Sequence, residues 1–301
     1  IGFALFDELQ ALSPLLKRYQ SMQQELASTR SLLRARQAKY SFAQFIGTSP
    51  ASLEVKRRAR RSASTESPVL LMGETGTGKE LLAHAIHNTS PRAHKPFVSV
   101  NSAAIPEALL EAEFFGTAPG AFTGADRRGR QGKLHLAEGG TLFLDEIGDM
   151  PADAQTRLLR VLADSEFYRV GGHTPVKVNV RIIAATHQNL EKLVQEGRFR
   201  EDLFHRLNVI RIHLPTLSER REDIPRLARH FLNISAEELN VESKTLSTEA
   251  ETYMCGLAWA GNVRQLENTC RWLTVMASGR EVLVSDLPPE LLESEAGQVV
   301  S

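Results

Sequence analysis

A chain of 301 residues, 42% hydrophobic and 24% charged, is long enough for one large or two modest domains with their own cores. No apolar run is long enough to span a bilayer, and the opening residues IGFALFDELQ lack the charged-then-apolar order of a secretory leader, so no membrane association is expected. Lys plus Arg balances Asp plus Glu at 36 each, which leaves no global electrostatic case for nucleic acid as the main ligand.

The first element is an uninterrupted helical stretch from Leu5 to Tyr40. Leu5, Leu12, Tyr19, Leu26, Leu33 and Tyr40 recur every seventh residue, with Leu9 and Leu16 on the alternate seam. That spacing suits a coiled coil. The second seam turns polar at Gln23, Arg30 and Gln37, so a single amphipathic helix lying on its own domain is the other reading. Residues 1–40 are therefore taken as a helical linker. Gly47, Ser49 and Pro50 punctuate the chain, and Lys56, Arg57, Arg58, Arg60 and Arg61 follow on a short helix. This basic run is expected to form a solvated or intersubunit face rather than a nucleic-acid site.

From Pro68 the pattern is that of an α/β domain. PVLLMG, PFVSVN, GTLFLDE and VRIIAAT read as buried parallel strands separated by helices, which implies crossover connections and a sheet covered on both faces. After LPTLSERREDI the strand signals stop, and breaks at Ser247, Gly261 and Pro288 divide a run of helices. The expected division is an α/β core over 41–216, a small all-helical domain over 217–294 and a tail over 295–301. Cys255 and Cys270 are too few for a disulfide framework and lack metal-ligand spacing. They read as small semi-buried residues in a reducing, cytoplasmic setting. The chain does not begin with Met and is expected to be a segment of a longer protein.

Within VLLMGETGTGKE, Gly73, Glu74, Thr75, Gly76, Thr77, Gly78, Lys79, Glu80 and Leu81 lie between a strand and a helix. Glycines let such a loop curl so that its amides face phosphates, the helix start adds its positive end, and Lys79 reaches the outer phosphates of a nucleotide. A hydroxyl residue normally follows the lysine to bind magnesium, and here Glu80 stands instead. In GGTLFLDEIGDM, Asp145 and Glu146 end a strand, at the sheet edge where ligands of open α/β sheets bind. Asp145 suits Mg2+ and Glu146 suits polarisation of a water molecule, so the paired motifs indicate ATP hydrolysis.

The hexapeptide Gly120, Ala121, Phe122, Thr123, Gly124, Ala125 resembles the GAFTGA signature of the bacterial enhancer-binding proteins that activate sigma-54 RNA polymerase. The resemblance runs from about Phe45 to Leu292 through GETGTGKE, GGTLFLDEIGDMP, FREDLFHRLNVI and WAGNVRQLENTCRW, and beyond Gly139 it is strongest to the nitrogen-regulator branch. In this family GKE is usual, which accounts for Glu80. The resemblance implies an AAA+ P-loop NTPase core followed by a helical lid. It also implies a ring of six or seven copies that couples ATP hydrolysis to remodelling of the closed promoter complex.

The family's site residues map onto this sequence as follows. Phe122 and Thr123 would tip a loop that touches the sigma-54 factor of the holoenzyme. By their chemistry alone, two glycines around an aromatic and a small polar residue suit either a mobile binding loop or an ordinary turn with Phe122 tucked inward. A second loop would correspond to Glu166 through Gly172. Asn101 would hold the catalytic Glu146 as a reversible latch, an amide suiting that task because it leaves the charge unchanged. Thr186 and His187 occupy the sensor position, where many relatives have Asn in place of His187. Arg200 and Arg206 would enter the neighbouring subunit's site, and Arg264 would contact phosphate within its own subunit. Planar guanidinium suits both tasks, though without the resemblance helix-surface ion pairs with Glu201 or Asp202 would be the reading of the first two. Promoter DNA would be reached indirectly, through a DNA-binding domain outside this segment. A nucleotide-gated scaffold and another AAA+ machine such as a helicase or chelatase are the competing readings. The intact Lys79, Asp145, Glu146 and Arg206 disfavour the first, and GAFTGA disfavours the second.

Overall fold

The computed structural model describes Met22 and residues 41–120 and 129–293. The heptad seam of the first forty residues, Ala121 to Ala125 of the hexapeptide and the tail lie outside the described residues.

Helix α1 (Pro50–Ala63) begins at Ser49, whose side chain accepts from the Ser52 amide, and has Pro50 at its first position, where no amide hydrogen is needed. Strand β1 (Val69–Met72) leads through the phosphate loop into α2 (Lys79–Thr89). Strand β2 (Phe97–Asn101), helix α3 (Glu107–Phe115), strand β3 (Thr141–Asp145) and helix α4 (Ala152–Asp164) follow. A hairpin of β4 (Glu166–Tyr168) and β5 (Pro175–Lys177) precedes β6 (Arg181–Thr186), α5 (Leu190–Gln195), α6 (Glu201–Leu207) and β7 (Ile210–His213).

The main sheet is parallel, in the order β2-β3-β6-β1-β7. Alternation along each strand sorts its side chains to two faces. Leu70, Leu142, Leu144 and Ala184 pack under α3, α4, α5 and α6, while Val69, Leu71, Phe143 and Ile183 pack under α1 and α2. Fully buried Arg181 opens β6 and donates from Nη2 to the Ser62 carbonyl at 2.6 Å, satisfying the carboxyl end of α1. The four expected strands are present. The fifth, β7, escaped the sequence reading because it is an edge strand with Arg211 and His213 exposed, so it presents no continuous apolar run.

Beyond β7, α7 (Ile224–Leu239), α8 (Thr248–Gly256) and α9 (Asn262–Met276) enclose a core of Leu227, Leu232, Trp259, Leu266, Cys270 and Leu273. This part is not wholly helical as expected, because β8 (Thr245–Leu246) and β9 (Glu281–Val282) form a short parallel ladder. Ser247 caps α8 by accepting from the Ala250 amide at 3.1 Å. Both cysteines are free, and burial pushes the Cys270 thiol up to about 12. Among the described residues no helix is long and apolar enough to cross a membrane. The basic run on α1 is a paired surface face: Arg57 and Arg58 bridge Glu54, Lys56 donates to the Gly47 carbonyl at 2.8 Å, and Arg60 lies over the Phe42 ring.

Candidate functional site

All five strands of the main sheet run the same way, so their carboxyl ends share one edge. Inserting β6 between β1 and β3 sets the loop after β1, the acids at the end of β3 and the turn after β6 side by side. Asn101 and Asp145 pair across β2 and β3, and Met72 pairs with Thr186 across β1 and β6.

The phosphate loop depends on left-handed backbone at Gly76 (φ +80°) and Gly78 (φ +104°), the latter standing directly before α2. Lys79 opens that helix, is nearly buried, and folds back so that Nζ donates to the carbonyls of Gly73 at 2.7 Å and Glu74 at 3.1 Å. Burial lowers the affinity of Lys79 for its proton, while the charges of Glu146 and Asp145 work in the opposite sense. The Asp145 carboxyl is raised above its usual range by burial and then by the negative charge of Glu146. An acid held this way gains from a cation placed beside it.

Two expected contacts are arranged differently. Asn101 does not hold Glu146; its Nδ2 lies 3.5 Å from Asp145 Oδ2, and its Oδ1 accepts from the Ala103 amide at 2.9 Å. Glu146 instead meets His187, with Nδ1 2.6 Å from Oε2 and the His187 amide donating to the same oxygen at 3.4 Å. The reason is the sheet order, which sets the end of β6 beside β3 on one side while β2 lies on the other. Thr186 is fully buried, its hydroxyl accepts from the Gln188 amide at 3.0 Å, and it does not line the cleft. His187 is therefore the sensor-position side chain that reaches the acids.

The cleft is about 530 Å³ and is lined by both charged and apolar side chains. Loop residues Thr75 to Leu81 share it with Asn101, Asp145, Glu146, Arg220, Arg264 and Glu267, while Phe45, Ile46, Leu227, Phe231 and Val263 add apolar walls. Such a cleft accommodates a ligand with a polyanionic tail and a flat, weakly polar head. The sequence reading missed these apolar walls, whose residues come from three distant segments and share no motif.

Arg200 and Arg206 do not line this cleft. Arg200 is paired with Asp202 at 2.7 Å, its amide donating to buried Gln155 at 2.9 Å, and Arg206 is exposed on α6. Both arginines are thus solvent-exposed and lie outside the cleft of their own chain.

The hexapeptide begins at Gly120, which has left-handed backbone (φ +68°), and the segment is narrow at its base. Thr117 and Arg130 exchange backbone hydrogen bonds at 2.9 and 3.1 Å, and the Ala118 amide donates to the Val170 carbonyl at 2.9 Å. A Cβ on Gly116 would lie 2.3 Å from the Arg130 carbonyl oxygen and one on Gly132 2.3 Å from the Gly116 nitrogen, so only glycine allows this approach. The segment expected as a second loop, Glu166 to Gly172, begins instead as β4, paired antiparallel with β5. The residues flanking the hexapeptide are therefore hydrogen-bonded both to each other and to Val170, just beyond β4.

Residues 45–213 match the family model described as the Sigma-54 interaction domain, and residues 218–300 match the AAA+ ATPase lid domain. The chain is 68% identical over 249 residues to the DNA-binding transcriptional regulator NtrC of Salmonella typhimurium, covering 83% of this chain and 53% of that protein. It is 66% identical over 256 residues to NtrC of Escherichia coli K12, covering 85% and 54%. The crystal structure of NtrX from Brucella abortus in complex with ATP superposes with a TM-score of 0.77 at 42% identity, covering 83% of this chain and 55% of that one. The chain thus spans about half the length of the relatives it matches.

Proposed function

The chain belongs to the sigma-54 interaction family of AAA+ ATPases, and on that premise we propose that it is the motor of a sigma-54-dependent transcription activator, hydrolysing ATP to remodel the closed promoter complex. The observation that carries this reading is the convergence of Lys79, Asp145, Glu146 and Arg264 on one cleft that also has apolar walls.

In this reading the loop amides and Lys79 hold the phosphates, Arg264 adds positive charge within the same subunit, and the base lies against Phe45 and Phe231. Asp145 would hold Mg2+, which supplies charge neutralisation at the outer phosphates when bound. The fit rests on a raised carboxyl aimed into the cleft, together with the habit of this ion of taking one or two carboxylates and completing its shell from phosphate and water. Glu146 orients the attacking water and accepts its proton. His187 holds Glu146, and Asn101 steadies Asp145 from the opposite strand.

Arg200 and Arg206 complete the site of an adjacent subunit, a division supported by their exposure and their absence from the lining of their own cleft. That makes the working unit a homo-oligomeric ring. Phe122 and Thr123 contact the sigma-54 factor, and the backbone hydrogen bonds that join Thr117 and Ala118 to Arg130 and Val170 tie the flanks of the hexapeptide to the segment after β4. The protein works in the cytosol, and other segments of the full-length chain bind DNA and receive the signal.

Phosphate release from ATP tests the core of the proposal. Lys79→Ala removes the charge that offsets the phosphates and is expected to abolish binding, whereas Glu146→Gln keeps the shape, retains binding and blocks turnover. Equal turnover in Glu146→Gln and wild type would refute the assignment.

A further inference from the structure

The residue that opens α9 makes contacts the nucleotide reading does not require. Asn262 is fully buried and has left-handed backbone at φ 54°. Its Nδ2 donates to Glu74 Oε2 at 3.0 Å and to the Thr75 carbonyl at 3.2 Å, while its Oδ1 accepts from the Leu217 amide at 2.8 Å. Leu217 stands where the chain passes from β7 towards α7. One side chain therefore ties the phosphate loop, that connection and the first turn of α9 together. An amide suits the position because it donates and accepts at once without bringing a net charge into a buried place, and the Glu74 carboxylate strengthens its bond.

Two backbone contacts close the same seam. The Arg264 amide donates to the Gly76 carbonyl at 3.3 Å, and a Cβ on Gly76 would lie 2.3 Å from the Gly261 carbonyl oxygen. The turn before α9 thus sits directly on the crest of the phosphate loop, and Arg264, half a turn along, lines the cleft.

We infer that Asn262 and Glu74 form a pin that seats the lid on the phosphate loop and thereby holds Arg264 against the site of the outer phosphates. The inference rests on the ATPase reading above and makes Asn262 a positioning residue for it. Curling of the loop and placement of the lid become one event, so affinity for ATP depends on an amide that touches no part of the nucleotide.

A simpler role for Asn262, as a residue that tolerates left-handed backbone, is separable by experiment. Asn262→Asp keeps that tolerance and keeps an acceptor for the Leu217 amide, but it turns a carboxylate oxygen towards Glu74 and the Thr75 carbonyl. Equilibrium titration with ATP is expected to show about tenfold weaker binding, the loss that goes with one charge-assisted hydrogen bond. Adding Glu74→Gln places a donor opposite the introduced carboxylate and should recover most of that loss. Wild-type affinity in Asn262→Asp, or no recovery in the double variant, would overturn the pin. Where Asn262→Asp does not fold, Asn262→Gly carries the test, since it keeps the backbone and lacks the amide: weaker ATP binding supports the pin and wild-type binding overturns it. Because binding is read without turnover, a wild type that binds ATP but does not hydrolyse it would refute the hydrolytic reading separately.

Discussion

Replacing Asp223 by Asn is the sharpest test of how the site is held together. Asp223 is fully buried at the entry to α7 and accepts four hydrogen bonds: from the amides of Thr48 at 2.7 Å and Ser49 at 2.9 Å, and from the hydroxyls of Ser49 and Ser52 at 2.6 Å each. Its charge also supports buried Arg220, which donates to the Thr77 carbonyl at 3.2 Å in the phosphate loop and lies over the ring of Phe45 in the wall of the cleft. Asn has one carbonyl oxygen, so about two of the four bonds lose their acceptor. Each bond to a charged group contributes about 1.5–3 kcal/mol, and rotation of the serine hydroxyls towards the new amide returns part of the loss. The expected destabilisation is about 3 kcal/mol, or a fall in melting temperature on the order of 6–12 °C.

The pH dependence has a definite sign. Burial alone would raise the Asp223 carboxyl, but the hydroxyls of Ser49 and Ser52 and the amides of Thr48 and Ser49 bring it below its ordinary value. A carboxyl lowered in the folded state stabilises fully above its unfolded value of about 3.9 and loses that contribution as pH falls through the folded value. Urea unfolding should therefore show a constant gap between wild type and Asp223→Asn from about pH 5 to 8, closing below about pH 4. An unchanged midpoint at neutral pH, or a gap that persists undiminished in acid, would refute the reasoning.

Phe122→Ala and Thr123→Ala should leave ATP turnover largely intact yet prevent open-complex formation on a sigma-54 promoter, because the proposed contact is remote from the reacting phosphate. Normal activation by either variant would remove the loop from the mechanism. Arg206→Ala is expected to lower turnover by about 10³, the lower end of arginine-finger effects. Mixing it with Glu146→Gln should restore activity at interfaces that join an intact arginine to an intact acid pair, and turnover per chain should rise with concentration as rings form. No complementation despite confirmed co-assembly would end the proposal that arginines act across subunits.

The linear chain was most legible where one short segment performs one task. The phosphate loop is contiguous, its glycines are needed for backbone reasons that no neighbour alters, and Lys79 follows by helix geometry. The same holds for Asp145 and Glu146, because a strand buried on both faces ends wherever its apolar run meets two acids. The lid helices were visible through Ser247, Gly261 and Pro288, since caps and breaks are local chemistry.

Other features were settled by which strands lie beside which. The motifs give Glu146 to Asn101 and name no partner for His187, and only the insertion of β6 next to β3 gives Glu146 to His187 and leaves Asn101 with Asp145. The β7 edge, the β8–β9 ladder and the β4–β5 hairpin are short, and pairing with a distant partner defines them more than composition does. The apolar wall of the cleft, the Asn262 pin and the Asp223 cluster each join residues far apart in the chain, so no single motif gives their pairing. Asp223 and Ser49 are 174 residues apart, and a hydrogen bond at that separation exists only once the sheet and the lid have docked. Local backbone preference and apolar patterning act over a few residues and so are written in the sequence, whereas the partner of a buried polar group is chosen by the packing of whole elements.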